Sequence, residues 1–304
     1  MEAYKFCIKE TAIAEDFRFS CRRGVLDSSN FIMHTHDCLE LSIVVNGSGT
    51  HIAETEEYGI EAGDIFVIHK GQAHGFKDMK NAEIVNLMYV PSDCLFDNEE
   101  LQRMPGYKAL FALEPIYRKS HAFKSRLRLL PPQLRDVSVF LEKIEKEQRE
   151  KKAGHKAAIS GIFLELIVCL SRRYSEEPRT DSQASLLEIA SVINHMEEHF
   201  AENLPLILLA EKANMSVNNF LRVFKKATGF SPVEYVIRLR INHACKLLIS
   251  SACPISSAAF ESGFEDSNYF SRQFRKITGL SAREFRSSAQ ALEIKAGIFI
   301  FLKP

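Results

Sequence analysis

His34, His36 and Glu40 follow one another in the pattern His-x-His-x-x-x-Glu, and His74 comes later in the chain, after Gly63 and Gly71. Imidazole nitrogens and a carboxylate oxygen are the donors that hold Zn, Fe or Mn. Three histidines and one glutamate could form such a site, with a coordination position left open for chemistry. On a strand, positions 34, 36 and 40 share parity, so their side chains would point to one face while His74 closed the set from another strand. The same groups can act without metal by hydrogen-bonding a small polar ligand, or they can be core histidines satisfied by their neighbours. Residue types and spacing leave these three readings open.

A second chemistry lies in the C-terminal third. Residues 211–234, shifted by fifty positions, coincide with 261–284 at ten places: Glu211/Glu261, Asn218/Asn268, Phe220/Phe270, Arg222/Arg272, Phe224/Phe274, Lys226/Lys276, Thr228/Thr278, Gly229/Gly279, Ser231/Ser281 and Glu234/Glu284. Ordinary residue frequencies would supply roughly one or two. Each copy reads as a short helix (Leu206 to Lys212, or Ile255 to Glu261) and a tight turn (213–215, or 263–265). A polar N-cap, Ser216 or Asp266, then opens a second helix that ends at Gly229 or Gly279. This is a helix-turn-helix written twice. Phe220 and Phe224, like Phe270 and Phe274, are one turn apart and face a core. Asn218, Leu221, Arg222 and Lys225 then face outward, as do Asn268, Ser271, Arg272 and Arg275. Arginine can bind the O6/N7 edge of guanine and asparagine the N6/N7 edge of adenine in a major groove. A lone helix arginine is usually a solvated charge; recurrence at equivalent places argues against that here.

Other elements must position these groups. Leu41, Ile43 and Val45 alternate, Gly47-Ser48-Gly49 reads as a turn, Gly63-Asp64 precedes Ile65 to Ile68, and Gly71 precedes a run from Ile84 to Val90. Strands at that spacing predict a small barrel or sandwich. From Pro131-Pro132 onward, Val137, Phe140, Leu141 and Ile144, then Ile159, Ile162, Phe163, Leu166, Ile167 and Leu170, mark two amphipathic helices. Their apolar faces suit either packing on the barrel or a dimer seam. The polar stretch 175–185, with Pro178, reads as a linker, and Gly297 to Leu302 forms an apolar tail with no functional reading.

Composition bounds the whole. The 304 residues are 46% hydrophobic and 26% charged, which is the balance of a soluble globular chain and too long for one core. Lys+Arg and Asp+Glu number 39 each, but residues 203–288 hold twelve basic against six acidic side chains, a distribution suited to phosphates. Seven scattered cysteines, none in a Cys-x-x-Cys pair, fit a reducing compartment. The N-terminus lacks a secretory pattern, and the longest apolar run, 162–170, is short and contains Glu165. A cytoplasmic protein without a membrane segment is expected.

Residues 186–288 resemble the DNA-binding domain of the AraC family of bacterial transcription regulators. The resemblance rests on Gly263-Phe264, Asp266-Ser267-Asn268-Tyr269-Phe270-Ser271-Arg272, Phe274-Arg275-Lys276 and Gly279-Leu280-Ser281, with one long helix, Pro232 to Ser250, between the units. It implies contacts to double-stranded DNA from Ser216, Asn218, Leu221, Arg222 and Lys225, and from Ser267, Asn268, Tyr269, Ser271 and Arg272. The connecting helix would set the two readers about one DNA turn, roughly 34 Å, apart. Ala282 departs from the family's usual proline, which Pro232 keeps, and a slightly less fixed helix start is expected there.

The histidine set resembles the two cupin motifs, the first nearly in full and the second with His69 where proline is usual. In AraC-type regulators such a barrel senses a small molecule, so His34, His36, Glu40 and His74 become effector contacts, with a divalent metal possible and no cofactor required. Asn86-Leu87-Met88-Tyr89, Gly106-Tyr107, Ala109-Leu110-Phe111, Leu113-Glu114-Pro115 and Arg126-Leu127-Arg128-Leu129 are similar to regulators of L-rhamnose catabolism, which implies a sugar effector.

The expected architecture is a multidomain α+β chain. It comprises a cupin-like β-barrel (1–95), a helical dimerisation region (96–175), a linker (176–185), an all-α domain with two helix-turn-helix units (186–288) and an apolar tail (289–304). The expected protein is a homodimeric, non-enzymatic transcription activator that works with RNA polymerase, its effector signal passing through the helices at 131–174. The rival is a cupin metalloenzyme acting on a sugar or small polar substrate, with an accessory DNA-binding domain.

Overall fold

The structure is a computed structural model and describes residues 4–26, 33–54, 56–94, 98–118, 126–176, 180–250 and 253–292. The chain divides into two units, Met1–Ala190 and Ser191–Pro304. Residues 289–292 of the expected tail belong to the last helix, Ala282–Leu292, whereas the rest of it, with Gly297 to Leu302, and Pro178 of the expected linker lie outside the described residues.

The first unit is built on an eight-stranded sheet. Its strands are β1 (Tyr4–Phe6), β2 (Phe19–Leu26), β3 (His34–His36), β4 (Leu39–Ala53), β5 (Glu56–Glu61), β6 (Asp64–Ile68), β7 (His74–Tyr89) and β8 (Leu127–Arg128). The order is β1-β3-β7-β4-β6-β8, with β2 on β7 and β5 on β4. Val44, Tyr58, Ile60, Phe66, Ile68, Phe76, Met79, Ala82 and Ile84, drawn from four strands, form one buried cluster. A single sheet that encloses its own apolar cluster has to curl, and strand bulges make the curl. The register of β4 on β7 shifts three times between Val44 and Thr50. Gly47 (φ 73°) lies in that stretch, and a β-carbon there would collide with the Lys80 and Asn81 carbonyls. The expected turn at Gly47-Ser48-Gly49 is therefore a bulge within a 15-residue strand.

Between β7 and β8 come α1 (Glu99–Arg103), α2 (Pro105–Tyr107), a π-helical turn (Lys108–Leu113) and α3 (Glu114–Tyr117). After β8 come α4 (Pro131–Glu150), α5 (His155–Glu176) and α6 (Asp181–His199). Pro131 and Pro132 open α4, where the fixed proline φ suits the first turn and Leu130 N donates to Gln133 Oε1 at 2.8 Å. The apolar faces of α4 and α5 are buried within one chain. Phe163 of α5 stands edge-on to Phe19 and Tyr89, with ring centroids 5.1 and 4.9 Å away. Gln148 of α4 covers the edge of β2, accepting from Cys21 N at 2.8 Å and donating to Cys21 O at 2.9 Å. Of the two uses the sequence allowed these faces, the structure supplies packing on the sheet. Gly106 of α2 lies against the Ser171 carbonyl of α5 so closely that a β-carbon has no room.

The expected linker is shorter than composition indicated. Asp181 to Ser185 are the start of α6, and the division between the units falls further along that helix. The cause is a capping box: Gln183 N donates to Thr180 Oγ1 at 3.1 Å and Thr180 N to Gln183 Oε1 at 3.2 Å. Polarity read as linker is helix-start chemistry.

The second unit continues with α7 (Leu206–Lys212), α8 (Val217–Thr228), α9 (Pro232–Ser250), α10 (Ile255–Glu261), α11 (Ser267–Thr278) and α12 (Ala282–Leu292). The repeat holds in three dimensions from the second helix of each copy. Phe220–Phe224 and Phe270–Phe274 ring centroids are both 5.4 Å apart. Thr228 and Thr278 donate to the Phe224 and Phe274 carbonyls, each at 2.8 Å. Gly229 (φ 80°) and Gly279 (φ 79°) end the helices in the left-handed region. The first helices, however, align at 49. Met215 N bonds Ala210 O as Phe264 N bonds Ala259 O, and positive-φ Asn214 answers Gly263. The second turn then inserts Glu265 before its cap, so Glu211 and Glu261 are not structural equivalents. Ala282 starts α12 behind its own box, with Ser281 N to Glu284 Oε2 at 2.7 Å and Glu284 N to Ser281 Oγ at 3.2 Å. That cap does the work expected of proline.

Arg240 of α9 reaches the chain after α6, donating to Phe200 O at 2.7 Å and Glu202 O at 2.9 Å. Gly263 presses on the same segment, where a β-carbon would stand 2.6 Å from Ala201 Cα.

Candidate ligand site and nucleic-acid interface

The four residues singled out in the N-terminal part do converge, although not from the strand geometry expected. His34 and His36 lie on β3 and Glu40 on β4, with a bend between them. Asp37 holds that bend, accepting from Ile8 N at 2.8 Å and from Cys7 Sγ at 3.2 Å. His34 is paired directly with His74 across β3 and β7. The His34 and His74 rings are 4.1 Å apart and the His36 and His74 rings 5.0 Å apart. His36, Glu40 and His74 are all buried to 2% exposure or less.

Backbone carbonyls orient two of the rings. His36 Nδ1 lies 2.9 Å from Cys38 O and His74 Nδ1 3.3 Å from Gln72 O. A carbonyl can only accept, so Nδ1 carries the proton and Nε2 turns inward. His36 Nε2 stands 3.1 Å from Glu40 Oε2 and pairs with that carboxylate, whereas His74 Nε2 is 3.8 Å from the same oxygen and has no hydrogen-bond partner. Burial opposes charge throughout, yet His36, His74 and Ser42 hold the Glu40 carboxyl down to about 2. Burial likewise works against the His36 cation, but the Cys38 side chain and Glu40 raise it to about 10. Burial pushes His74 down to about 4 against the pull of Glu40.

An ionised carboxylate, a neutral imidazole and carbonyl-anchored rings are the preparation a divalent cation needs. His34, Glu40 and His74 each bring a donor atom within 4.8 Å of the others. His36 stands outside that tight set and joins it through Glu40. The residues fit a cation, and they fit a polar organic ligand equally well in hydrogen-bonding chemistry.

Sequence reasoning missed part of the wall. Ser42 Oγ is 2.9 Å from Glu40 Oε1 and 3.0 Å from Asn86 Oδ1, which ties Asn86 to the cluster. The parity of Ser42 with Glu40 was the available signal. His51, fully buried between Phe66 and Phe76 with centroids at 4.6 and 5.2 Å, is kept neutral by burial. Its long separation from the His-x-His pattern hid it. His69, the departure from the cupin pattern, spans to the π-helical turn with Nε2 2.9 Å from Phe111 O.

The motif 126–129 has a structural task. The buried Asp64 pairs with Arg126 at 2.8 Å and Arg128 at 2.6 Å, clamping β8 to β6. Glu114 is likewise engaged by Arg118, which also donates to the Val67 carbonyl. The residues that looked similar to sugar-responsive regulators thus divide between the cluster's surroundings and scaffold.

In the second unit the ten repeated identities separate by burial. The phenylalanines fill the core, and the Thr, Gly, Ser and Glu234/Glu284 pairs cap helices or stand at their starts. Asn218/Asn268, Arg222/Arg272 and Lys226/Lys276 are exposed and satisfy no packing demand. Identity that the fold does not require points to a shared external partner, and exposed Asn, Arg and Lys match base edges and phosphates. Leu221 is half-buried, Lys225 exposed, and Tyr269 38% exposed.

Two expected contacts have local duties. Ser216 Oγ accepts from Asn219 N at 3.4 Å as the cap of α8, and Ser271 Oγ donates to Ser267 O at 2.8 Å. Asn219 was not anticipated. Its Oδ1 takes Arg222 Nη2 at 2.6 Å and so orients the guanidinium, whereas α11 has Tyr269 at the equivalent place. Asp266 Oδ1 caps α11 through Tyr269 N at 2.5 Å. Among the described residues no helix is long and apolar enough to cross a membrane.

Residues 18–173 match the family model described as an AraC-like ligand binding domain, and residues 209–288 match a helix-turn-helix domain model. The HTH-type transcriptional activator RhaS of Shigella flexneri serotype 5b (strain 8401) is 27% identical over 276 residues, 89% of this chain and 95% of that protein. A transcriptional regulator with an AraC-type DNA-binding domain from Chromobacterium violaceum is 26% identical over 36% of this chain and 95% of its own, with a TM-score of 0.33. Unsaturated fatty acid bound wild-type ToxT from Vibrio cholerae strain SCE256 is 15% identical over 88% of this chain and 94% of its own, with a TM-score of 0.33. A ligand-binding model spanning about half of the chain, followed by a helix-turn-helix model over the repeat with its exposed basic identities, places this protein in the AraC family of DNA-binding transcription regulators.

Proposed function

We propose that this regulator activates transcription when a small polar effector binds the cluster of His34, His36, Glu40 and His74. The observation that carries the reading is a buried polar cluster inside the segment that matches a ligand-binding domain, with an inward-facing His74 Nε2 that lacks a hydrogen-bond partner. Sugar hydroxyls both donate and accept, which suits one carboxylate acceptor beside imidazoles of both protonation states. The motifs similar to rhamnose regulators, together with 27% identity to RhaS, make L-rhamnose the first compound to test. The protein acts in the cytoplasm as a homodimer with RNA polymerase as its partner, and it performs no catalysis of its own.

A divalent cation, Zn, Fe or Mn, fits the same donors: His34, Glu40 and His74 would hold it, with His36 alongside. Such an ion would polarise and orient a hydroxylated effector. Elemental analysis of the purified protein tests this, with metal expected in the wild type and absent after Glu40→Ala.

The function itself is tested by a promoter reporter with a panel of sugars. Induction by one sugar, weakened in His36→Ala while DNA affinity without effector is retained, is the expected result. Undiminished induction in His36→Ala removes the cluster from the effector site. Turnover of a sugar by a metal-loaded protein with no sequence-selective DNA affinity would instead establish the metalloenzyme.

A further inference from the structure

We propose a second metal site, for a divalent transition metal, at the end of α6, built from His195 and His199 and separate from the sheet-enclosed cluster. Residues four apart on a helix lie one above the other on a single face. The two imidazole centroids are 4.4 Å apart with their planes tilted by 43°. Two stacked imidazoles on one helix face can chelate one ion from the same side.

The second observation is the group behind His199. Its Nδ1 lies 2.9 Å from Glu202 Oε1, in the loop that follows the helix. A carboxylate acceptor at Nδ1 selects the tautomer whose proton faces Glu202, and in that tautomer Nε2 presents the lone pair to a metal. A carboxylate behind a ligand histidine fixes the ring and strengthens it as a donor. His195 stands one turn earlier on the same helix and is half-buried, so its ring is held against that of His199.

Access is open. His199 is 38% exposed at its side chain and Glu202 68%, so water can complete the coordination shell. Imidazole donors with water suit Zn, Cu and Ni rather than Mg or Ca. Lys212 repels a cation while Glu198 and Glu202 attract it. The location gives the ion leverage on the fold. Glu202 also supplies a backbone carbonyl to Arg240 of α9, so an ion seated on His195 and His199 stiffens the last turn of α6 beside a segment that α9 holds.

The test uses the full chain in metal-free buffer, titrated with Zn²⁺ against a chromogenic chelator. One equivalent is expected to vanish in the His195→Gln, His199→Gln double variant and to persist in His34→Gln, His74→Gln, so failure of the effector-site metal leaves this result readable. Glu202→Gln is expected to weaken binding about tenfold, the scale of losing a carboxylate behind a ligand histidine. Diethyl pyrocarbonate footprinting of the wild type provides a readout independent of variant folding, with His195 and His199 protected by Zn²⁺. Unchanged stoichiometry in the double variant, an undiminished affinity in Glu202→Gln, or modification of both histidines in saturating Zn²⁺ overturns the proposal.

Discussion

The two helix-turn-helix units share an aromatic pair at the same spacing, a threonine bonded to the same carbonyl and a glycine with the same φ. Two of their differences bear on the exposed helix face: the second turn carries the extra residue Glu265, and the residue one turn before the repeated arginine is Asn219 in one and Tyr269 in the other. The shared part is what any such unit needs in order to fold. These two differences lie in the turn that leads into the helix and in the support of its arginine.

The largest expected effect probes the shared part. Phe224→Ala and Phe274→Ala should each destabilise the second unit by about 3–5 kcal/mol, because both remove a buried ring from equivalent cores. Chemical denaturation followed by circular dichroism measures it, and a clear inequality between the two would break the equivalence. The turns come next. Gly263→Asn should destabilise by about 1–3 kcal/mol through collision with Ala201, whereas Asn214→Gly should be nearly neutral, since glycine accepts the same positive φ.

DNA binding sharpens the comparison further. Arg272→Ala should lower affinity for the cognate site by about 1–3 kcal/mol and relax one base position; equal loss on random DNA would assign Arg272 to phosphate. Asn219→Ala should act only through Arg222, losing about 0.5–1.5 kcal/mol in the wild-type background and almost nothing in Arg222→Ala. The smallest effect is that of Lys225→Ala, expected to weaken binding uniformly and reduce the salt slope by about 1.

Legibility from sequence followed the range of the interaction. Helices α8 and α11 were readable to the residue because their caps, Ser216, Asp266, Gly229 and Gly279, act within a turn of themselves. The one-residue slip between the first helices was not, since a shift of fifty positions still aligned Glu211 with Glu261 by coincidence. In the first unit the clustered histidines and glutamate were legible by type, but their placement depends on the Asp37 bend and the β4 bulge, which are fixed by partners distant in sequence. The linker was misplaced because Thr180 and Gln183 are polar for a helical reason. The arginines at 126 and 128 looked specific, and their partner Asp64 lies more than sixty residues away.

Arg240 and Gly263 have a consequence for how the DNA-reading unit comes apart. The segment Phe200 to Glu202 is held by α9 and touched by the turn of the second helix-turn-helix, so neither reader has a boundary of its own at which to melt. Heating should therefore release both readers in a single cooperative step, and half of the operator contact surface should never persist alone.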